Sequence, residues 1–449
     1  MVENAQMKRT LFAGAVLVVS SALAMPSIRT DSVKLSQSEE TRTAYITYEL
    51  RTEPAVVTVD IQTNTADGAW VSIGGAAQVH MTGDVNKLVT GTSGTRSITW
   101  FPDRDWPYLP DDRVRVVVKA WSAKDPPDWM VVSLVVSNNV HYYSSLDYAP
   151  EPSPDDFAYK SSKMLLRRIR AAYREWRAGD AIKSMGGQGY DSGWSFPHAA
   201  MLTNDYYIGV YLVTRAQDRL ITNGQNGYGW TTTSEPLDID DSYGPMTIPV
   251  LDSYRALRGD STTEWPGWPQ NGHDVKLFCT GSVQTNRLWA YRAFTGVELD
   301  LPTSAQWEYA CRAGTRTDYW TGKNAWNSAQ GYSNCCDVAW CAFNTNEQAS
   351  VMGVYYDRYK RMPVGLKPAN PWGLFDMIGN SAEWCLDWSE MLYSSNLKVE
   401  PTGPETGTAR VCRGGSGEDS FQLCRAGQRS EAAEDAQKGY RLCAPCEAR

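Results

Sequence analysis

From about Thr41 to Tyr148 apolar and polar residues alternate in short runs. In VVTVDIQ, Val57, Val59 and Ile61 fall on one side and Thr58, Asp60 and Gln62 on the other. In RVRVVVKAW, Val114, Val116, Val118 and Ala120 share a face. A period of two places each set on one surface of a pleated strand. SITWF and WMVVSLVV add β-rich runs, and ADG, GG and DPPD supply the turns between them. No helical stretch interrupts the series, so an all-β sandwich is predicted over 41–148. It contains no catalytic constellation and reads as a spacer or adhesive module. YAPEPSPDD (Tyr148 to Asp156) carries three prolines and three acids, which predicts a linker over 149–158.

Beyond it, over 159–449, neither period survives for long. NPWGLFDMIGNSAEWC (Asn370 to Cys385) alternates turn formers with large aromatics. Gly373 and Gly379 suit positive φ or close backbone approach, and Trp372, Phe375, Trp384 and Trp388 offer large areas for burial. One helix start stands out in LPTSAQWEYACRAGT (Leu301 to Thr315). Pro302 precedes it, Thr303 or Ser304 can cap it, and Trp307, Tyr309 and Ala310 can pack its inner side.

The N-terminus changes the picture of where the chain works. Lys8 and Arg9 precede an apolar run from Leu11 to Ala24 that ends in Ala22-Leu23-Ala24. This pattern predicts a signal peptide over 1–24, too short an apolar run to span a bilayer. The expectation is an exported protein, periplasmic, cell-surface or secreted, with no transmembrane segment in the mature chain. The 449 residues suggest two domains, and a net charge of −8 argues against nucleic acid as partner. The basic cluster LLRRIRAAYREWR (Leu165 to Arg177) has leading apolar residues and reads as the opening of a domain. All ten cysteines follow residue 278, which in an oxidising compartment points to disulfides.

Six motifs occur in order after the linker: YYIGVYLVTRAQ, LPTSAQWEYACRAGT, PVGLKPANPWGLFDMIGNSAEWCLDW, RVCRGGS, CRAGQRS and GYRLC. Together they resemble the formylglycine-generating enzyme family, also called the sulfatase-modifying factor family. The resemblance implies an irregular α+β, C-type-lectin-like domain over 159–449. It also implies calcium in a structural role. Asn380 and Glu383 match one calcium loop of the family and Asn344 falls near a second; amide and carboxylate oxygens suit that ion. The plainer alternative is that Asn380 holds a turn and Glu383 pairs with an arginine. LDIDDSYG (Leu237 to Gly244) lacks a complete calcium loop and reads as a solvated loop. By the same resemblance Cys311 and Cys424 are disulfide candidates.

The family's oxidases turn a substrate cysteine into formylglycine at a Cu(I) centre held by two cysteines just after the GGS motif. Soft thiolates are the right donors for that ion. Here GGSGEDSFQLCRAGQRS has no such pair, and the carboxylate of Asp419 cannot stand in for a thiolate. Copper is therefore not expected. Cys335, Cys336 and Cys341 lie near one another in sequence but are not spaced to hold a linear copper. The four histidines, His80, His141, His198 and His273, are too scattered for a three-histidine iron site. Arg413, Glu418, Asp419, Arg425 and Arg429 are the polar candidates for lining a groove beside the GGS motif; the alternative is that the arginines hold loops. The reading is an exported binding or structural member, a pseudoenzyme whose partner is a protein or glycan. The alternative is a formylglycine-generating or related oxidoreductase with an altered active site.

Overall fold

The computed structural model describes residues 17–18, 26–38, 40–51, 54–90, 94–106, 114–172, 174–178, 198–222, 247–258, 287–325, 328–345, 361–390 and 397–448. Leu237 to Gly244, His273 and Cys279 lie outside them, as does most of the expected signal peptide. The chain forms two compact units. The first holds Met1–Val131, Val140–Asp156 and Cys446–Arg449, and the second Val132–Asn139 and Phe157–Pro445. The change from Asp156 to Phe157 falls inside the predicted linker. Two stretches divide differently from the sequence reading: Val132–Asn139 belongs to the second unit, and Cys446 onward returns to the first.

The first unit is β-rich, as its alternation demands, with a short α-helix at Pro102–Asp105 that the alternation did not announce. In one sheet Ala55–Asn64 and Val114–Ser122 run antiparallel, with Val59 opposite Val118 and Ile61 opposite Val116. Trp70–Ser72 and Leu88–Val89 also pair with Ala55–Asn64. Leu17–Val18, within the expected signal peptide, pairs in parallel with Val117 and Val118. The other sheet runs Lys34–Gln37, Ala44–Tyr48, Arg96–Trp100, Met81–Gly83. Inward residues of both sheets form one core that includes Ile46, Tyr48, Val57, Ile61, Ile98, Trp100, Val114 and Val118. Each such side chain contributes on the order of 1.5–3 kcal/mol of transfer free energy. The core, more than the short ladders, sets the register, because a one-residue slip would turn every apolar side chain to water.

The second unit has short elements held between long irregular segments. Its clearest helix is Ser304–Arg312, whose nine residues are all buried. Thr303 is the N-cap and Gln306 completes a capping box, each side chain accepting from the other's backbone N–H. Ala313 and Gly314, both at positive φ, end it. The helix packs on a three-stranded antiparallel sheet of Glu383–Trp388, Arg410–Arg413 and Arg429–Ala432. Elsewhere Tyr206–Gly209 pairs with both Lys163–Ile169 and Cys443–Pro445. No helix among the described residues is long and apolar enough to cross a membrane.

Candidate functional site

The aromatic loop Asn370 to Glu383 is held by side chains that bond backbone, as an irregular segment requires. The Asn370 Oδ1 accepts the N–H groups of Trp372 and Leu374, and its Nδ2 donates to the carbonyls of Ala310 and Cys311. The loop thereby satisfies the C-terminal carbonyls of the Ser304–Arg312 helix. Gly379 lies at φ 75°, and a Cβ placed there would stand 2.2 Å from the Trp340 carbonyl oxygen. Only glycine permits that approach. The next residue, Asn380, donates its N–H to the same carbonyl at 2.8 Å.

Asn380 and Glu383, matched to a calcium loop, are both fully buried. The Asn380 Oδ1 accepts the Met362 N–H at 2.9 Å, and its Nδ2 donates to the Met362 carbonyl at 3.0 Å. Glu383 Oε1 accepts from Arg441 at 2.9 Å; Oε2 accepts from Arg441 Nε at 3.1 Å and from Trp307 Nε1 at 2.8 Å. Arg441 spends its remaining donors on the carbonyls of Gly209, Val210 and Phe375. Asn344 Oδ1 likewise accepts the Cys341 N–H at 2.8 Å. Calcium needs about six to eight oxygens turned toward one point. These side-chain oxygens are turned toward N–H donors instead, so Asn380, Glu383 and Asn344 as arranged do not fit such a site. The structure has the plainer arrangement of a held turn and a carboxylate–arginine pair.

The GGS segment tells a similar story. Arg413, Arg425 and Arg429 are buried, with exposures of 3%, 4% and 2%. Arg413 donates to Ser304 Oγ, to Glu308 Oε2 at 2.9 Å, and to the carbonyls of Ala426, Gly427 and Gln428. Arg312 takes the other oxygen of Glu308 at 2.8 Å. Arg425 donates to Gln428 Oε1, and Arg429 to the Glu390 carbonyl. These arginines bind the domain's own carbonyls and carboxylates, the loop-holding arrangement given as the alternative to a groove lining, because buried guanidinium groups require several acceptors at once. Asp419 Oδ2 accepts from both the N–H and the hydroxyl of Ser416, closing a turn. Glu418 is exposed beside it.

What the structure adds at this loop is sulfur. Cys311 and Cys424 are separate thiols, and no disulfide joins them. Cys311 faces the Met377 carbonyl at 4.0 Å, while Cys424 sits 3.7 Å from the Ser416 carbonyl and next to Cys335. Cys335 also neighbours Cys341, and the Cys336 and Cys341 sulfurs are 4.0 Å apart. Four thiols therefore gather where the helix Ser328–Cys336, the following turn and the GGS segment meet. Thiol donors on Cys335 and Cys336 and the N–H groups of Phe343 and Asn344 pull the Cys341 thiol well below its ordinary range. The same bonds, with burial, push Cys336 up. Among the described residues no group of three or more His, Cys, Asp or Glu side chains is arranged to hold a metal ion. Adjacency of Cys335 and Cys336 was the available sequence signal; the approach of Cys424 had none.

With this geometry in view, comparison with known proteins is specific. A family model described as "Sulfatase-modifying factor enzyme 1-like domain" matches residues 175–443. The formylglycine-generating enzyme of Bos taurus is 33% identical over 136 residues, which cover 30% of this chain and 33% of that protein. The chain thus spans about a third of its length. "Chaperone protein LppX" of Paenibacillus barcinonensis is 27% identical over 248 residues, covering 53% of this chain and 78% of that protein. Among solved structures, "Treponema denticola variable protein 1" aligns with a TM-score of 0.42 and 22% identity, covering 64% of this chain and 96% of that one.

Proposed function

The chain belongs to the sulfatase-modifying factor enzyme 1-like family, and on that premise we propose that it is an exported binding or structural member, not a copper-dependent formylglycine-generating oxidase. One observation carries the reading. At the GGS segment the side chain where a sulfur ligand would be sought, Asp419, spends its carboxylate on Ser416, and the neighbouring arginines are consumed inside the domain. Nothing in that set is left as a pair of soft donors for Cu(I). A relative named as a chaperone, matched over most of its length, supports use of this domain outside formylglycine formation. The N-terminal basic and apolar run supports export to the periplasm, the cell surface or the medium.

The alternative, an oxidoreductase with an altered centre, draws on the gathered thiols. Mass measurement separates the two. The full chain is titrated with copper and incubated in air with a peptide containing Cys-x-Pro-x-Arg. The peptide mass is expected to remain that of the thiol or its disulfide. Formation of the aldehyde would overturn the binding or structural reading.

A further inference from the structure

The sulfurs of Cys336 and Cys341 stand 4.0 Å apart, nearly twice a disulfide bond length of about 2.05 Å. The two residues occupy different local structures: Cys336 ends the helix Ser328–Cys336, and Cys341 opens the turn after it. They are joined by four intervening residues, so closing the gap requires only a local shift of the turn. From this juxtaposition we propose that Cys336 and Cys341 form a reversible redox couple oxidised by small hydroperoxides, with Cys341 as the reacting sulfur and Cys336 as the resolving one.

The assignment of roles follows from the surroundings. Cys341 is the sulfur that meets both members of the adjacent pair, whereas Cys335 meets Cys341 and Cys424. Cys335 and Cys336 both neighbour it, and backbone N–H groups of Phe343 and Asn344 point to it. The Lys367 ammonium lies close by, donating to the Cys336 carbonyl at 2.6 Å and resting 4.3 Å from the Trp340 ring centre. The Lys367 charge acts on both sulfurs, so the thiol and N–H donors on Cys341 are what favour its thiolate, the form that attacks peroxide. The bond to Cys341 and burial push the Cys336 thiol up, and Cys336 is the more exposed of the two, at 9% against 0%. With Cys341 at 0% exposure a bulky protein disulfide is excluded, and a small hydroperoxide enters through the same opening of the turn that brings the two sulfurs together.

The steps balance. The Cys341 thiolate attacks the distal oxygen of a hydroperoxide; the O–O bond breaks, leaving a sulfenic acid on Cys341 and an alkoxide, or hydroxide from hydrogen peroxide, that takes up a proton. The Cys336 sulfur then attacks the sulfenic sulfur, losing its proton, and water leaves as the S–S bond forms. Two thiols are oxidised by two electrons and one hydroperoxide is reduced. A low-molecular-weight dithiol reverses the bond by exchange. The consequence is local: the same turn donates the Ala342 N–H to the Asp419 carbonyl at 2.9 Å, and the Thr345 hydroxyl donates to the Gly417 carbonyl at 3.2 Å. Oxidation would tie the helix end to the residues that hold the GGS segment.

The test uses the full chain, reduced, freed of reductant and treated with hydrogen peroxide. Remaining thiols are alkylated, and the digest is mapped by fragmentation without reduction. A Cys336–Cys341 link that disappears with dithiothreitol is expected. The Cys335→Ser variant should keep the link. The Cys336→Ser variant should lose it and give a sulfenic acid on Cys341 that dimedone traps. Alkylation of both Cys336 and Cys341 after peroxide, or a link from Cys335 or Cys424 to Cys341, would overturn the assignment. If a variant fails to fold, the unsubstituted chain still shows whether the link forms, and dimedone present during the peroxide treatment marks which of the two sulfurs carries the sulfenic acid.

Discussion

Replacing Glu383 with Gln changes one oxygen to an amide in a pair whose two side chains have no solvent exposure. Gln preserves the shape and can still accept from Trp307, but it removes the charge that balances Arg441. Removing one partner of a buried ion pair leaves the other uncompensated, at a cost of about 3–5 kcal/mol. That is a third or more of the roughly 5–15 kcal/mol by which domains are stable. The assay is urea unfolding followed by tryptophan fluorescence. Because the chain has two compact units, two transitions are fitted and the loss is assigned to one of them. Each measurement is made in calcium and in excess chelator. The loss should be the same in both, since no side-chain oxygen of Glu383 is turned away from its N–H donors. Arg441→Met should also be strongly destabilising, and the double variant less so than the sum of the two. A loss below about 1 kcal/mol, the level of an exposed pair, would rule out a buried charge left without its partner. So would a loss that appears only when calcium is present.

Two further predictions follow from backbone and proton. Gly379→Ala should cost about 2–5 kcal/mol by equilibrium unfolding, combining a left-handed residue with overpacking against the Trp340 backbone; Gly68→Ala, at φ 85° with nothing within 4 Å, should cost only about 1–2 kcal/mol, and equal costs would count against the close approach. Burial raises the Asp376 carboxyl from 3.8 to about 6, although the Gly365 N–H opposes the shift. The folded chain therefore binds this proton more tightly than the unfolded one. Its contribution is complete below about pH 3.8 and is lost as pH rises through about 6. Asp376→Asn removes that loss, so the variant's stability relative to the unsubstituted chain should rise between pH 4 and 7; a flat or falling difference would contradict the placement.

Local chemistry was legible in the sequence and distant chemistry was not. The faces of Val57, Val59 and Ile61 and of Val114, Val116 and Val118 could be read from alternation, because strand geometry converts a period of two directly into burial. The start of the Ser304–Arg312 helix was legible for the same reason: Thr303 and Gln306 meet within one turn. Glu383 and Arg441 are 58 residues apart, and no period relates them. Seen alone, Glu383 in GNSAEW offers hard oxygens, and a calcium ligand is a fair inference; the guanidinium that occupies those oxygens is visible only when the chain has folded. The arginines of the GGS segment show the same limit. A polar side chain beside a glycine turn looks available until the carbonyls that surround it are known.

The ordered motifs that identify the family thus have a common physical role in this chain. Arg441 of GYRLC meets Glu383 of GNSAEW, which also accepts from Trp307 of QWEYA. Arg413 of RVCRGGS meets Glu308 of that same helix, which also holds Arg312. A fold with short strands leaves many carbonyls unpaired inside it, and planar guanidinium groups with five donors can satisfy several at once. Arg441 and Arg413 each bind a buried carboxylate and carbonyls from distant segments. In this chain such residues serve the fold whatever its chemistry. The motifs therefore report architecture, and a change of function can occur at the GGS segment without disturbing them. In this chain that segment places Asp419 in a turn, and thiols from a helix gather beside it.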